Sequence, residues 1–218
     1  MTYSPDVIRR YQLLYTSLVS DCVEALGLGP RALAPGLVPF HSDSLRVVVG
    51  PAHTCQIQRT DERVEIDGLL AMVDATPEGS VVVVATDTDV GGAVWGGLMT
   101  AGVQQRGAVG AVADGGIRDL HQVVPLDFAV FAAYRSPLDI RGRGEVVGHG
   151  VPVVCRGVPI EPDDLVVADA NGVVIVPRAA VDAVLALCED RVRKEILTQE
   201  ELEAGGSAVD VYARHEAF

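Results

Sequence analysis

The chain has 218 residues, 49% of them hydrophobic and 22% charged, with a formal net charge of −13. A mean hydropathy of +0.28 excludes intrinsic disorder, and no apolar run nears the ~18 uninterrupted residues that span a bilayer. Sixteen of the seventeen basic residues are arginine and Lys194 is the sole lysine, which leaves no basic stretch for nucleic acid and little room for Schiff-base chemistry or a lysine-dependent phosphate loop.

In chain order, the first twenty residues mix Asp6, Arg9, Arg10 and Gln12 with apolar positions, which does not fit a cleaved signal peptide. Apolar spacing over residues 7–26 predicts two short helices, with Thr16 or Ser17 as N-cap of the second and Gly27 as its stop. Pro30, Pro35 and Pro39 mark a loop. Strands are expected at 45–49 and 54–58, then a helix at 66–73 closed by the Pro77-Glu78-Gly79 turn. Residues 81–85 (Val-Val-Val-Val-Ala) read as a strand buried on both faces. A helix at about 94–105 leads to a second buried strand at 109–113, a βαβ unit with parallel strands. Strands at 128–134, 151–155 and 165–168 follow, taken as antiparallel. Asn171-Gly172 turns a hairpin into 173–176.

A long amphipathic helix at about 179–202 closes the pattern, within a C-terminal segment of 178–204. No linker or repeat interrupts the chain, so a single domain over 1–218 is expected, with N-terminal helices over about 1–27. Cys22, Cys55, Cys155 and Cys188 lack CxxC or zinc spacing and read as buried thiols of a cytoplasmic protein.

The chemistry concentrates in residues 91–122. Gly91-Gly92 to Gly96-Gly97 and Asp114-Gly115-Gly116-Ile117-Arg118-Asp119 follow the two buried strands, where parallel α/β sheets gather ligands. Glycines let backbone N–H groups approach an anion, and a helix starting near Trp95 adds its positive end. Arg118 offers a planar fork for a carboxylate. Asp119 offers a hard oxygen for Mg²⁺ or Mn²⁺. Together they suit a small carboxylate substrate activated by a divalent metal.

Trp95-Gly96-Gly97-Leu98-Met99, followed by Ala113-Asp114-Gly115-Gly116-Ile117-Arg118-Asp119, resembles the signature of the RraA-like family, which holds divalent-metal 4-hydroxy-4-methyl-2-oxoglutarate aldolases and the regulator of ribonuclease activity A. The Gly97 to Arg118-Asp119 spacing matches the family pattern. The resemblance extends to Ser20-Asp21, to Arg46 through Pro51, to the Pro77-Glu78-Gly79 turn with its valine strand, and to Asp163 through Val173.

The resemblance implies an α/β fold, a three-layer β/β/α sandwich of the swivelling-domain type with flanking N- and C-terminal helices. It also implies a homotrimer, or a homohexamer of two trimers, with sites between subunits. It implies that Gly96, Gly97, Leu98 and Met99 hold substrate through backbone N–H groups. Arg118 would bind the carboxylate and keto oxygen of a pyruvyl group, and Asp119 the metal. The expected function is cleavage of a 4-hydroxy-2-keto acid, of the 4-hydroxy-4-methyl-2-oxoglutarate or 4-carboxy-4-hydroxy-2-oxoadipate type, to pyruvate, with oxaloacetate decarboxylation as a related activity. The physical logic is stabilisation of a pyruvate enolate by a Lewis acid and Arg118. Alternatives are a non-catalytic regulator of a ribonuclease or other protein, and a same-scaffold enzyme with another carboxylate substrate. Neither nucleic acid nor membrane is expected as a partner.

Two positions depart from the aldolase pattern. Gln122 stands where Glu or Asp is usual and cannot act as a general base, and Gly97 stands where an acidic residue is frequent. Asp114 could orient Arg118 or metal-bound waters, or cap its turn. The resemblance implies acidic side chains from a neighbouring subunit around the metal-bound waters, which makes Asp21 a candidate for that role; a solvated helix face is its default role. His121 reads as a rim residue and Lys194 as part of a solvated face; Arg141-Gly142-Arg143-Gly144 resembles a phosphate-friendly loop but, too short and isolated for nucleic acid, reads as a mobile turn.

Overall fold

The computed structural model of the chain describes residues 3–41, 43 and 45–216. Helix α1 (Pro5–Tyr11) is started by Ser4, whose hydroxyl accepts from Val7 N at 3.3 Å, with Pro5 in its first turn. Helix α2 (Thr16–Ala25) is started differently. Tyr15, not Thr16 or Ser17, holds the cap position and supplies no side-chain bond. The carboxylate of Asp169 does so instead, accepting from Thr16 N at 2.8 Å and Thr16 Oγ1 at 2.7 Å. Gly27, at φ +72°, ends the helix as expected, its N–H reaching Glu24 O.

Strand β1 (Val38–Pro39) precedes β2 (Val48–Arg59). The two strands expected at 45–49 and 54–58 are therefore one continuous strand. Pro51, which lacks an N–H, does not break it, because it lies where β2 changes partners. Helix α3 (Asp67–Asp74), β3 (Val81–Thr86), β4 (Ala93–Trp95), α4 (Gly97–Gln105) and β5 (Gly110–Ile117) follow. Val94 and Trp95 thus belong to a short strand rather than to the helix. Residues 114–117 extend β5 rather than forming a loop.

Helix α5 (Leu120–Val123) and a 3₁₀ turn at Val124–Leu126 carry the chain to β6 (Ala129–Arg135). Then come β7 (Gly144–His149), β8 (Val153–Cys155), β9 (Val158–Ile160), β10 (Leu165–Asp169) and β11 (Gly172–Val176). Helices α6 (Val181–Glu203) and α7 (Ala208–His215) close the chain. Strands β1, β4, β7 and β9 and helix α7 are too short, or too weakly patterned, to stand out in the sequence.

The main sheet runs β1-β6-β5-β3-β2-β10-β11, with β4 on β5 and β7 on β2. Strands β2, β3, β5 and β6 are parallel. The expectation that antiparallel pairing begins near residue 128 is corrected here: the α5 crossover returns β6 parallel to β5, and antiparallel neighbours of β2 come only with β7 and β10. Strand β2 pairs with β10 along 48–51, with β3 along 52–57 and with β7 along 55–59.

Burial on both faces of the parallel strands builds the layers. Val82, Val84, Ala111 and Val130 face Met72 of α3 and Val103 of α4. Val81, Val83, Val112 and Phe131 face a second β layer through Val153, Ile160, Val166 and Ile175. The outer side of β10 and β11 (Leu165, Val167, Val174, Val176) is covered by Leu18, Val19 and Cys22 of α2 and by Val184, Leu185 and Cys188 of α6. Each fully buried valine contributes roughly 1.5–3 kcal/mol. The result is the three-layer β/β/α sandwich with flanking terminal helices. All four cysteines are free and buried. Lys194 pairs with Asp190 at 3.1 Å on the surface of α6.

Candidate functional site

The site forms where β4 passes into α4 beside the end of β5. Trp95 is 1% exposed, and its Nε1 donates to Thr100 Oγ1 at 2.9 Å, while Thr100 Oγ1 donates to Gly96 O at 3.0 Å. The buried indole thus fixes the turn. Thr100 N donates to Gly96 O at 3.0 Å as the first rung of α4, which leaves the amides of Gly97, Leu98 and Met99 outside the helical ladder. They sit at the positive end of the helix.

Arg118 N donates to Trp95 O at 3.1 Å, tying the end of β5 to this turn. Asp119 takes the left-handed conformation (φ +56°, ψ 39°), a backbone that aspartate tolerates better than most residues. Its Oδ2 lies 3.4 Å from Arg118 Nε, and both side chains are 37% exposed. Gly96 leaves room for this crossing: a β-carbon there would lie 3.1 Å from Asp119 Oδ2 and 3.3 Å from Arg118 Cγ, so a larger residue would press on both side chains.

A cavity of about 190 Å³ opens beside the pair, lined by Trp95, Gly96, Leu98, Met99, Arg118 and Asp119 among others. Asp139 and Arg141 also line it. Asp139 Oδ1 lies 3.7 Å from Arg118 Nη1, and Asp139 Oδ2 lies 3.2 Å from Arg141 Nη1. Burial pushes the Asp139 carboxyl up, but the Arg141 backbone N–H and the Arg118 and Arg141 charges outweigh it and hold it below the usual carboxylate range. The sequence reading missed Asp139 and took Arg141 for part of a simple turn. The signal was present as Asp139-Ile140-Arg141-Gly142-Arg143, a charged run in a loop between two strands.

The other expected site residues lie elsewhere. Gln122 packs over Gly97, and neither of the two lines the cavity. Asp114 neither reaches Arg118 nor caps a turn. Its side chain pairs with Arg156 at 2.8 Å in a separate cleft of about 950 Å³. That cleft is larger, but its guanidinium is committed: Arg156 also donates to the carbonyls of Ala34 and Pro35. Asp21 lines a groove between α2 and α6 with Glu195. His121 is exposed.

Among the described residues no three His, Cys, Asp or Glu side chains are grouped to hold a metal. The donor set at Asp119, one half-exposed carboxylate beside open space, fits a hard cation such as Mg²⁺, which keeps several waters and takes further oxygens from its substrate. No helix among the described residues is long and apolar enough to cross a membrane.

The family model described as RraA-like (Aldolase/RraA) matches residues 16–175. The chain is 32% identical over 181 residues to a Halalkalibacterium halodurans protein named as a candidate 4-hydroxy-4-methyl-2-oxoglutarate aldolase, covering 83% of this chain and 80% of that protein. A solved structure from Pseudomonas syringae pv. tomato superposes with a TM-score of 0.86 at 26% identity, covering 97% of this chain and 95% of the other. Streptomyces coelicolor RraAS2, described as an unusual member of the RNase ES inhibitor RraA protein family, superposes with a TM-score of 0.80 at 25% identity over 90% of this chain and 97% of its own.

Proposed function

Because the chain belongs to the RraA-like family, we propose that it is a lyase that cleaves a 4-hydroxy-2-keto acid, of the 4-hydroxy-4-methyl-2-oxoglutarate or 4-carboxy-4-hydroxy-2-oxoadipate type, to release pyruvate, with Mg²⁺ or Mn²⁺ as cofactor. The observation that carries this reading is the side-by-side pair of Arg118 and Asp119 at the cavity beside the free amides of α4. The name of the Halalkalibacterium relative supports the same reaction class.

Arg118 would take the substrate carboxylate and keto oxygen through its planar fork. Its contacts to Asp119 and Asp139 are long, so an incoming carboxylate competes for it at little cost. The amides of Gly97, Leu98 and Met99 would supply fixed donors toward negative charge developing on the keto oxygen, at no reorganisation cost. Asp119 would hold the divalent cation, which when bound supplies Lewis-acid stabilisation of enolate charge and acidifies bound water. Trp95, Met99 and Leu69 would give the reacting carbons an apolar wall. Gln122 can donate and accept hydrogen bonds but cannot remove a proton at neutral pH.

A second reading, a non-catalytic regulator, is favoured by the likeness to RraAS2. The Arg118–Asp119 pair weighs against it, since a regulator acting through its surface needs no carboxylate beside a substrate-sized cavity. The deciding experiment is a pyruvate-release assay on 4-hydroxy-2-keto diacids and oxaloacetate, with Mg²⁺ or Mn²⁺ and after chelation. Metal-dependent pyruvate release is expected. No turnover of any compound, together with no metal binding by calorimetry, overturns the lyase reading.

A further inference from the structure

The loop from Ser136 to Arg143 is built into the site rather than hanging beside it. Ser136 N donates to Ile117 O at 3.0 Å and Ala93 N to Leu138 O at 2.9 Å, joining the loop to the ends of β5 and β4. Arg143 Nη1 donates to Asp139 O at 3.0 Å, and Ile140 is 4% exposed. A β-carbon on Gly92 would lie 2.9 Å from Arg143 Cδ and 3.1 Å from Asp139 O, so loop and strand are in close contact. This packing presents Asp139 with a guanidinium at each oxygen, Arg118 on one side and Arg141 on the other.

Arg118 and Arg141 are the cationic side chains that line the 190 Å³ cavity. Arg118 is claimed by the pyruvyl group in the proposed function. Arg141 has donors to spare: its Nη1 meets Asp139 Oδ2 at 3.2 Å, while 31% of the side chain stays exposed at the cavity, so part of its planar fork is open to an incoming acceptor. Behind Arg141, a neighbouring cavity of about 240 Å³ is lined by Glu65, Asp67 and Glu145. Those carboxylates would repel an anion that reached past Arg141.

We propose that Arg141 is the specificity-determining residue that receives the second carboxylate of a short dicarboxylic 2-keto acid. The assignment rests on the reading of Arg118 as the anchor of the 2-keto acid. It explains why two arginines are spaced by one carboxylate across a small cavity, and it sets an upper limit on substrate length at the Glu65–Asp67–Glu145 wall.

The test is calorimetric titration of the full chain, with Mg²⁺ present, using two unreactive acids of equal carbon skeleton, 2-oxoglutarate and 2-oxopentanoate. Wild type should bind 2-oxoglutarate at least tenfold more tightly. Arg141→Met should bring that ratio close to one while leaving 2-oxopentanoate affinity within about threefold, and Arg141→Lys should restore part of the preference. A wild-type ratio near one overturns the proposal, as does a preference that survives in Arg141→Met. An equal loss of both ligands in Arg141→Met, with Arg141→Lys giving no rescue, also overturns it by showing a structural role. If wild type binds neither acid, the Arg118 reading itself has failed and this proposal falls with it.

Discussion

The side chain of Gln122 fills the space above Gly97: a β-carbon on that glycine would lie 2.2 Å from Gln122 Oε1 and 2.7 Å from Gln122 Cβ. The amide end can swing aside, but Cβ is fixed by the backbone of α5. Gly97→Ala should therefore destabilise the protein by about 1–3 kcal/mol through overpacking. Adding Gln122→Gly should recover part of that loss, with a coupling of about 0.5–3 kcal/mol between the two sites. Urea unfolding of the two single variants and the double variant measures it; strict additivity would show that Gln122 does not restrict position 97.

Arg118→Ala should lower kcat/KM for pyruvate release by roughly 10²–10³-fold, the usual cost of removing a fixed donor from developing charge. Arg118→Lys should restore little, because a point charge does not replace a planar fork. Melting temperatures should stay close to wild type, since the side chain is partly exposed and its ion pairs are long. Full activity in both variants would place the reaction elsewhere.

Asp119→Asn keeps a residue that accepts left-handed backbone while removing the charge. It should abolish Mg²⁺ binding in calorimetry with little change in stability. Asp119→Ala should also lose the metal and in addition cost about 1 kcal/mol, because alanine pays more for φ +56°. Equal stability of the two variants would argue that this backbone conformation carries no strain.

Asp169, 4% exposed, accepts from Thr16 N, Thr16 Oγ1 and Asn171 N. Asp169→Ala should cost about 3 kcal/mol or more, since three donors lose a charged acceptor. Thr16→Val, which removes a single bond, should cost about 1 kcal/mol. Thermal and urea unfolding report both.

Asp89 is held below the usual carboxylate range by the Tyr134 hydroxyl and the Gly91 N–H, against the opposing effect of burial. A lowered folded-state pKa stabilises the fold above the ordinary carboxylate pKa, and that stability is lost as pH falls through the lowered value. Tyr134→Phe should therefore flatten the acid limb of the stability curve below about pH 4. Burial first, and Asp89 second, push Tyr134 up to about 12, so this group stabilises below the ordinary tyrosine pKa and loses the effect as pH rises through about 12. Asp89→Asn should bring the Tyr134 titration, followed by ultraviolet absorbance, closer to 10.

The valine strand, the glycine turns and the Arg118-Asp119 pair were legible in the sequence because each is a local signal. Buried β-branched runs, turn residues and adjacent charges declare themselves within a few positions. What the sequence hid depends on partners far along the chain. Thr16 looks like a cap because of its hydroxyl, yet the true acceptor is Asp169. Asp114 looks like part of the Arg118 site because only three residues separate them, yet Arg156 draws it into another cleft. Arg141 looks like a loop charge until the β4 and β5 ends fold against residues 136–143. The short strands β1, β4 and β9 gain their extended form from neighbours rather than from their own composition.

Strand β2 has a consequence for how the chain is made. It is complete at Arg59, but its partner β10 begins only at Leu165. At ribosomal rates of 5–20 residues per second, the apolar start of β2 waits roughly 5–20 s for that partner. Throughout that interval Val48 and Val49 present an unpaired edge to other nascent chains. Chains interrupted before residue 165 should aggregate, and slower translation should lengthen the exposure. The yield of soluble protein is then set by the order in which the ribosome delivers the strands as much as by the stability of the finished sheet.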